Sequence, residues 1–157
     1  MTMARDTYKR PFDLIVLAVS HLVLAPIFLL LWVLIPTLIW LEDRGPIFYT
    51  QRRPGKDGRM FRLLKFRTMR VNQLEGEPTL LATENDPRIT SVGRVIRPMA
   101  LDELPQLLNV LVGHMSFVGP RPQPPDIDED TIALTPVASR RLSVRPGLTG
   151  LGQLYGG

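Results

Sequence analysis

LIVLAVSHLVLAPIFLLLWVLIPTLIWL, residues 14–41, is a run of 28 positions without a charged side chain, bounded by Asp13 and Glu42. A helix needs only about 20 apolar residues to cross a membrane, so this block is longer than one span requires. It is also too long for the apolar part of a signal peptide, and no small-x-small cleavage site follows it. We therefore expect the block to remain in the protein as a membrane segment.

Pro26 lies near the middle of this block. A proline inside a helix removes one backbone hydrogen bond and clashes with the carbonyl four residues earlier, which predicts a bend. The two halves, 14–25 and 27–41, would each be roughly 18 to 22 Å long, which is short of the roughly 30 Å core of a bilayer. The pattern favours a re-entrant helix broken at Pro26.

Positive charge flanks the block on both sides. Arg5, Lys9 and Arg10 precede it, and twelve Lys or Arg lie between Arg44 and Arg97. Basic flanks mark the cytoplasmic side of a membrane, so we predict that both ends of the block lie on the cytoplasmic side. An ordinary single-pass helix with a tolerated proline is the alternative.

The composition limits the possible functions. A chain of 157 residues is one functional unit, which we divide into the membrane region 1–43 and a cytoplasmic region 44–157 at the membrane interface. The formal charge of +4 suits anionic partners. With no cysteine and only two histidines, any metal should be a hard ion held by oxygen atoms.

The part after the block predicts an α+β fold that is mostly helical. Two strand-like runs, 47–52 and 60–66, flank a glycine-rich turn and indicate a β-hairpin. Residues 72–86 are polar and are predicted as a loop. In 92–97, apolar residues and arginines recur at helical spacing, which predicts an amphipathic helix on the bilayer surface.

The stretch LDELPQLLNVL, residues 101–111, has its leucines on one face of a predicted helix that Gly113 closes. Pro105 is tolerable only in the first turn, which places Asp102 and Glu103 at the helix start. Acidic residues there are favoured by the helix dipole, so simple capping is one interpretation and chemistry is the other.

Proline also surrounds one arginine near the C-terminal part of the chain. Arg121 lies between Pro120 and Pro122, and this restricted backbone would pre-position its guanidinium for an anion. A rigid linker with an incidental arginine is the alternative. The acidic run 126–130 lacks the spacing of a calcium loop and is predicted to be solvated.

Eight motifs in a fixed order resemble the monotopic phosphoglycosyl transferases, the bacterial sugar transferase family that starts glycan assembly on polyprenyl phosphate. They cover nearly the whole chain: KRPFD (9–13), GPIF (45–48), QRRPG (51–55), KFRTM (65–69), DPRIT (86–90), LDELPQLLN (101–109), GPRP (119–122) and RPGLTG (145–150). Each motif is weak alone, and together they make chance similarity very unlikely.

The resemblance implies a two-step reaction. Asp102 would attack the sugar-bearing phosphate of a UDP-sugar and release UMP, and polyprenyl (undecaprenyl) phosphate would then accept the phospho-sugar. Glu103, together with Asp102, would bind Mg²⁺. This reaction would be the first membrane step of glycan or exopolysaccharide assembly.

The resemblance also suggests which residues contact the substrates. The element Pro120, Arg121 and Pro122 would hold the uridine nucleotide. Four basic residues would contact phosphates, namely Lys65, Arg67, Arg88 and Arg145. Expected partners are the UDP-sugar, polyprenyl phosphate and membrane lipid, with no nucleic acid, while a homo-oligomer is left open.

The sequence departs from the family pattern at two places. Ala25 precedes Pro26 where the family often has serine, and members of the family continue past the position of Gly157 with an aromatic-rich tail. Two rival interpretations remain. One is a non-catalytic protein that binds acidic lipid. The other, a membrane-anchored nucleic-acid-binding protein, ranks last because no recognition module is evident.

The re-entrant topology can be tested by cysteine labelling, because the chain has no cysteine of its own. Single cysteines placed at Thr7 and at Asp57 should react with a membrane-impermeant thiol reagent from the same side of sealed vesicles. Labelling from opposite sides would instead establish a single-pass helix.

Overall fold

The computed structural model describes residues 3–70, 86–123 and 140–150, with side chains from residue 8 onward. Most of the predicted loop 72–86 and the acidic run 126–130 lie outside the described residues. The elements, in chain order, are α1 (Met3–Val23), α2 (Ala25–Asp43), β1 (Phe48–Pro54), β2 (Met60–Phe66), α3 (Ser91–Ile96), α4 (Gln106–Val112), β3 (Ser116–Val118) and β4 (Gly147–Thr149). This mixture of helices and small sheets agrees with the predicted fold class.

The apolar block forms two helices instead of one bent helix. Helix α1 ends at Val23, and α2 begins at Ala25 with Pro26 in its first turn. Proline is tolerated there because the first N–H groups of a helix have no intrahelical partner. The break thus falls within two residues of its predicted position. Among the described residues, α2 is the one helix long and apolar enough to cross a membrane, judged by length and composition.

The described residues fall into two compact units. The α1 unit contains the described parts of Met1–Val23, Thr50–Leu64 and Gln106–Gly157, and the α2 unit contains the described parts of Leu24–Tyr49 and Lys65–Pro105. The division between residues 43 and 44 that the sequence suggested stays a prediction.

The hairpin forms as the sequence predicts. Strands β1 and β2 pair with each other, and a single 3₁₀ turn, Lys56–Gly58, joins them. Asp57 and Gly58 adopt positive φ angles of 57° and 73°. Aspartate and glycine are among the residues that tolerate this left-handed conformation best, which explains why the turn forms at this point.

The core of the α1 unit joins β2 to α4. Its buried apolar residues are Phe61, Leu63, Val110 and Met115. The buried Asn109 side chain of α4 accepts a hydrogen bond from Leu64 N at 3.0 Å and donates one to Arg62 O at 2.8 Å. A buried amide that pairs with strand backbone in this way fixes the position of α4 against β2.

The basic motif ahead of the apolar block has partners in the α1 unit. Asp13, only 2% exposed, accepts hydrogen bonds from Ser116 Oγ at 3.0 Å and Phe117 N at 3.2 Å. Arg10 donates to the carbonyls of Val110 and Leu111 at the end of α4. Val110 O also accepts from Gly113 N at 3.1 Å, and Arg10 adds a side-chain cap that holds the end of α4 against α1.

Strands β3 and β4 form a parallel pair where the sequence suggested only loops. Ser116 aligns with Gly147 and Val118 with Thr149. The backbones approach so closely at Gly119 and Gly147 that a Cβ on Gly147 would lie 2.0 Å from Gly119 N. This pair brings the GPRP and RPGLTG motifs side by side.

The core of the α2 unit joins the apolar helix to α3 and the end of β2. Ile35 and Ile39 of α2 pack with Phe66 and Ile96, and the Phe66 ring also meets Trp32 edge-on at a centroid distance of 5.5 Å. Helix α3 matches the predicted helix at 92–97. Its Ile96 faces this core while its Val95 is exposed.

Substitution of Gly147 by alanine should destabilise the fold, because the new methyl group would overlap the backbone of Gly119. We expect a loss of about 2 kcal/mol or more in the free energy of unfolding, since overpacking against rigid backbone costs 1–3 kcal/mol or more. Thermal unfolding of purified protein measures this loss. Thr149→Ala, on an exposed position of the same strand, is the control and should unfold close to wild type; equal stability of the two variants would contradict the packing.

Candidate active site

Asp102 and Glu103 lie in a 3₁₀ turn, Leu101–Glu103, that precedes α4. Helix α4 begins at Gln106, so the prediction that Asp102 and Glu103, the acidic dyad, start this helix is wrong by four residues. Ala100 reverses the chain with φ 53°, and the turn closes through Glu103 N donating to Ala100 O at 3.1 Å. The carboxylates are therefore presented by a separate turn and not by the dipole of α4.

Both carboxylates face Lys65 from strand β2. Lys65 Nζ donates to Glu103 Oε1 at 2.8 Å and lies 3.8 Å from Asp102 Oδ2. Asp102 is only 8% exposed. A buried carboxylate is costly unless a cation compensates it, and Lys65 supplies that charge. The structure thus brings together three of the residues that the sequence singled out.

The environment of Asp102 makes it a basic carboxylate. Burial raises the pKa of Asp102 from its ordinary value near 3.8, and the adjacent Glu103 raises it further, while Lys65 and Arg97 act in the opposite direction. A desolvated carboxylate of raised pKa is a stronger nucleophile once ionised, and the neighbouring cations favour its ionised form. This combination suits attack on an electrophile that carries negative charge.

Arg97 is a candidate site residue that the sequence analysis did not select. It ends helix α3, its charge lowers the pKa of Asp102, and its Nη1 is buried without a hydrogen-bond partner among the described residues. The sequence analysis assigned the arginines of 92–97 to the bilayer surface. The available signal was its position in the chain, five residues before Asp102.

Two other predicted phosphate contacts each have a carboxylate partner. Arg67, 3% exposed, forms an ion pair with Asp43. Arg88 Nη2 donates to Asp86 Oδ2 at 2.7 Å, and the hydrogen bonds from Arg88 lower the pKa of Asp86 to about 2. Their role as phosphate contacts stays a prediction.

The remaining predicted contacts lie in the α1 unit. Pro120 O accepts from Gly147 N at 2.9 Å, Pro122 O from Arg53 Nη1 at 3.3 Å, and Arg145 Nε donates to Gly113 O at 3.0 Å. Arg121 is exposed. The β3–β4 pair therefore gathers the GPRP and RPGLTG motifs in one place.

The dyad fits a magnesium ion that arrives with a substrate. Within the described ranges no group of three His, Asp or Glu side chains could hold a metal alone. Mg²⁺ is commonly held by one or two carboxylates, several waters and substrate phosphates, so the carboxylates of Asp102 and Glu103, which both lie near Lys65, are a suitable donor set.

The chain thus combines a desolvated carboxylate beside Lys65 with a long apolar helix. Comparison with known proteins identifies the group: the profile of the bacterial sugar transferases matches residues 4–157, and the chain belongs to that family. The protein is a transferase.

Several relatives have assigned names. The chain is 43% identical to the exopolysaccharide production protein ExoY of Rhizobium meliloti, over 94% of this chain and 69% of the relative. It is 42% identical to a UDP-glucose:undecaprenyl-phosphate glucose-1-phosphate transferase of Caulobacter vibrioides, over 98% and 56%. It is 38% identical to an undecaprenyl-phosphate galactose phosphotransferase of Salmonella typhimurium, over 94% and 32%. The chain thus spans 69% of the length of the first of these relatives and 32% of the last.

The raised pKa of Asp102 gives a prediction about stability. The folded state disfavours the ionised carboxylate, so the destabilisation grows as the pH rises above the ordinary value near 3.8. Asp102→Asn, which resembles the protonated form, should unfold at a higher temperature than wild type at pH 7 in EDTA. The difference should shrink as the pH approaches 3.8; a less stable variant at pH 7 would contradict this account.

Proposed function

We propose that this transferase moves a sugar-1-phosphate from a UDP-sugar to undecaprenyl phosphate through a covalent aspartyl intermediate. The observation that carries the proposal is the contact of Lys65 with both the buried Asp102 and the partly buried Glu103. The names of the Caulobacter and Salmonella relatives support undecaprenyl phosphate as the acceptor.

In the first step, a carboxylate oxygen of Asp102 attacks the β-phosphorus of the UDP-sugar. The bond from this phosphorus to the bridging oxygen breaks, and UMP leaves with that oxygen and the electron pair. Attack by an anion on a diphosphate meets like-charge repulsion. Lys65 and Arg97 reduce this repulsion because each places a positive charge beside the carboxylate.

In the second step, a phosphate oxygen of undecaprenyl phosphate attacks the phosphorus of the aspartyl phospho-sugar. The bond between phosphorus and the Asp102 oxygen breaks, which returns the free carboxylate and gives undecaprenyl diphospho-sugar. No net proton transfer is needed. Division into two displacements lets one small site receive the polar donor and the lipid acceptor in turn.

Glu103, with Asp102, would hold Mg²⁺. The bound ion would supply positive charge to the diphosphate of the substrate and to the leaving UMP. Lys65, which offsets the charge of Glu103, would also contact a substrate phosphate. Pro120, Arg121 and Pro122 would hold the uridine, and Arg67, Arg88 and Arg145 complete the proposed substrate contacts.

The proposal places the site at the cytoplasmic face of the bacterial inner membrane. Support comes from the basic residues on both flanks of the apolar block and from the helix break beside Pro26. A re-entrant path would keep the catalytic turn at the level of the lipid head groups. The phosphate of undecaprenyl phosphate lies at that level, while the UDP-sugar arrives from the cytoplasm.

A UMP-release assay tests the function. Purified protein in detergent with undecaprenyl phosphate should release UMP from at least one member of a panel of UDP-sugars, and EDTA should stop the release. Asp102→Asn and Glu103→Gln should each lower the rate by about a thousandfold or more, as removal of a nucleophile or its partner does.

Asp57→Asn is the matched control, since it also removes one negative charge, from the exposed turn of the hairpin. It should release UMP at the wild-type rate. Full UMP release by Asp102→Asn would show that another group is the nucleophile.

A further inference from the structure

Two acidic residues, Glu42 and Asp43, form the last turn of the apolar helix α2. Carboxylates are disfavoured at the C-terminal end of a helix because the helix dipole is negative there. Two in succession therefore lower the stability of the isolated helix. Contacts outside the helix must offset this effect, and both residues make such contacts within the α2 unit.

Glu42 binds the beginning of helix α3. Its Oε1 accepts from Ser91 N at 2.6 Å and its Oε2 accepts from Val92 N at 3.0 Å. Thr90 Oγ1 accepts from the next amide, Gly93 N, at 3.0 Å. The first three N–H groups of α3 are thus satisfied by the side chains of Glu42 and Thr90. Glu42 lies 49 residues before Ser91 in the chain.

Helix α3 continues by hydrogen bonds into the turn that carries the dyad. Arg97 N donates to Gly93 O at 3.0 Å, Ala100 N to Arg97 O at 2.9 Å, and Glu103 N to Ala100 O at 3.1 Å. Leu101, beside Asp102, also packs on the core that contains Ile96. A displacement at the start of α3 would therefore reach both Arg97 and the dyad.

Asp43 binds Arg67, the residue that follows strand β2 and its Lys65. It forms the ion pair with Arg67, whose backbone N donates to Ile47 O at 2.8 Å. The turn after α2 is shaped around this guanidinium, since a Cβ on Gly45 would lie 2.0 Å from Arg67 Nη1. Lys65 lies two residues before Arg67 on extended chain, where alternate side chains share one face.

We propose that Glu42 and Asp43, the helix-exit pair, are positioning residues for catalysis. Glu42 acts through α3 on Arg97 and the dyad, and Asp43 acts through Arg67 on Lys65. The pair thereby fixes the distance between the cations and the Asp102–Glu103 carboxylates from the end of the apolar helix. This inference rests on the proposed function, and it gives Arg67 a supporting role in addition to its proposed contact with substrate.

Glu42 can be tested by graded substitution. Glu42→Gln keeps the shape and one acceptor oxygen, while Glu42→Ala removes both acceptors. We expect kcat for UMP release to fall about tenfold in Glu42→Gln and about a hundredfold in Glu42→Ala, because misplacement of catalytic groups by about 1 Å has effects of this size. The KM for the UDP-sugar should stay within about twofold of wild type, since residues that contact substrate are unchanged.

Asp57→Asn again serves as the charge-matched control and should keep the wild-type kcat. Hydrogen exchange of a peptide that covers residues 86–97 provides a second measurement. The amides of Ser91 and Val92 should exchange faster in Glu42→Gln than in wild type, while the temperature of unfolding stays similar. This exchange result supports the contact even if Glu42→Ala does not fold.

The outcomes separate the inference from the proposed function. Wild-type UMP release together with an unchanged kcat in Glu42→Gln and Glu42→Ala would overturn the inference alone. A rise in KM at constant kcat would overturn it as well, because it would mean that Glu42 supports binding and not alignment. No UMP release by wild-type protein from any UDP-sugar would overturn the proposed function and the inference with it.

Discussion

The burial of Asp102 beside Lys65 is the constraint on which the rest of the site depends. A carboxylate with 8% exposure is unfavourable in its ionised form, and its pKa is raised accordingly. The fold compensates it from two directions, with Lys65 at the end of β2 and Arg97 at the end of α3. Neither cation fully cancels the effect of burial. The burial of Asp102 therefore lowers the stability of the folded state and leaves the carboxylate with a raised pKa.

The apolar helix has a structural task in addition to any contact with lipid. Most of its surface is exposed, but Ile35 and Ile39 pack against Phe66 and Ile96, which lie beside Lys65 and Arg97. Its last turn then binds α3 and Arg67 through Glu42 and Asp43. The same helix thus combines a largely exposed apolar surface with contacts that hold α3 and Arg67 in place.

Local patterns in the sequence predicted the local elements well. The break near Pro26, the hairpin around Asp57 and Gly58, and the helix at 92–97 all follow from residues close in sequence. Long-range features were missed. Strands β3 and β4 are three residues each and pair across a wide sequence gap, and nothing in such short segments identifies their partner. The resemblance suggested Lys65 only as a phosphate contact, and its contact with Asp102 and Glu103 was not predicted. Arg97 was missed because its helical pattern indicated a place on the bilayer surface, whereas its effect on Asp102 depends on tertiary structure.

The start of α4 shows the same limit. Pro105 was correctly expected near the beginning of this helix, but Ala100 in a left-handed conformation creates a separate 3₁₀ turn for the dyad. Alanine has no intrinsic preference for that conformation, so the reversal depends on surrounding contacts. It is this turn, and not the helix dipole, that directs Asp102 toward Lys65.

The most direct test of the central claim is the mass of the protein after reaction with a UDP-sugar in the absence of undecaprenyl phosphate. Intact-protein mass spectrometry should show an increase equal to one phospho-sugar, and peptide mapping should place it on Asp102. Addition of undecaprenyl phosphate should then restore the original mass. UMP release without any adduct, or an adduct on a residue other than Asp102, would contradict the account.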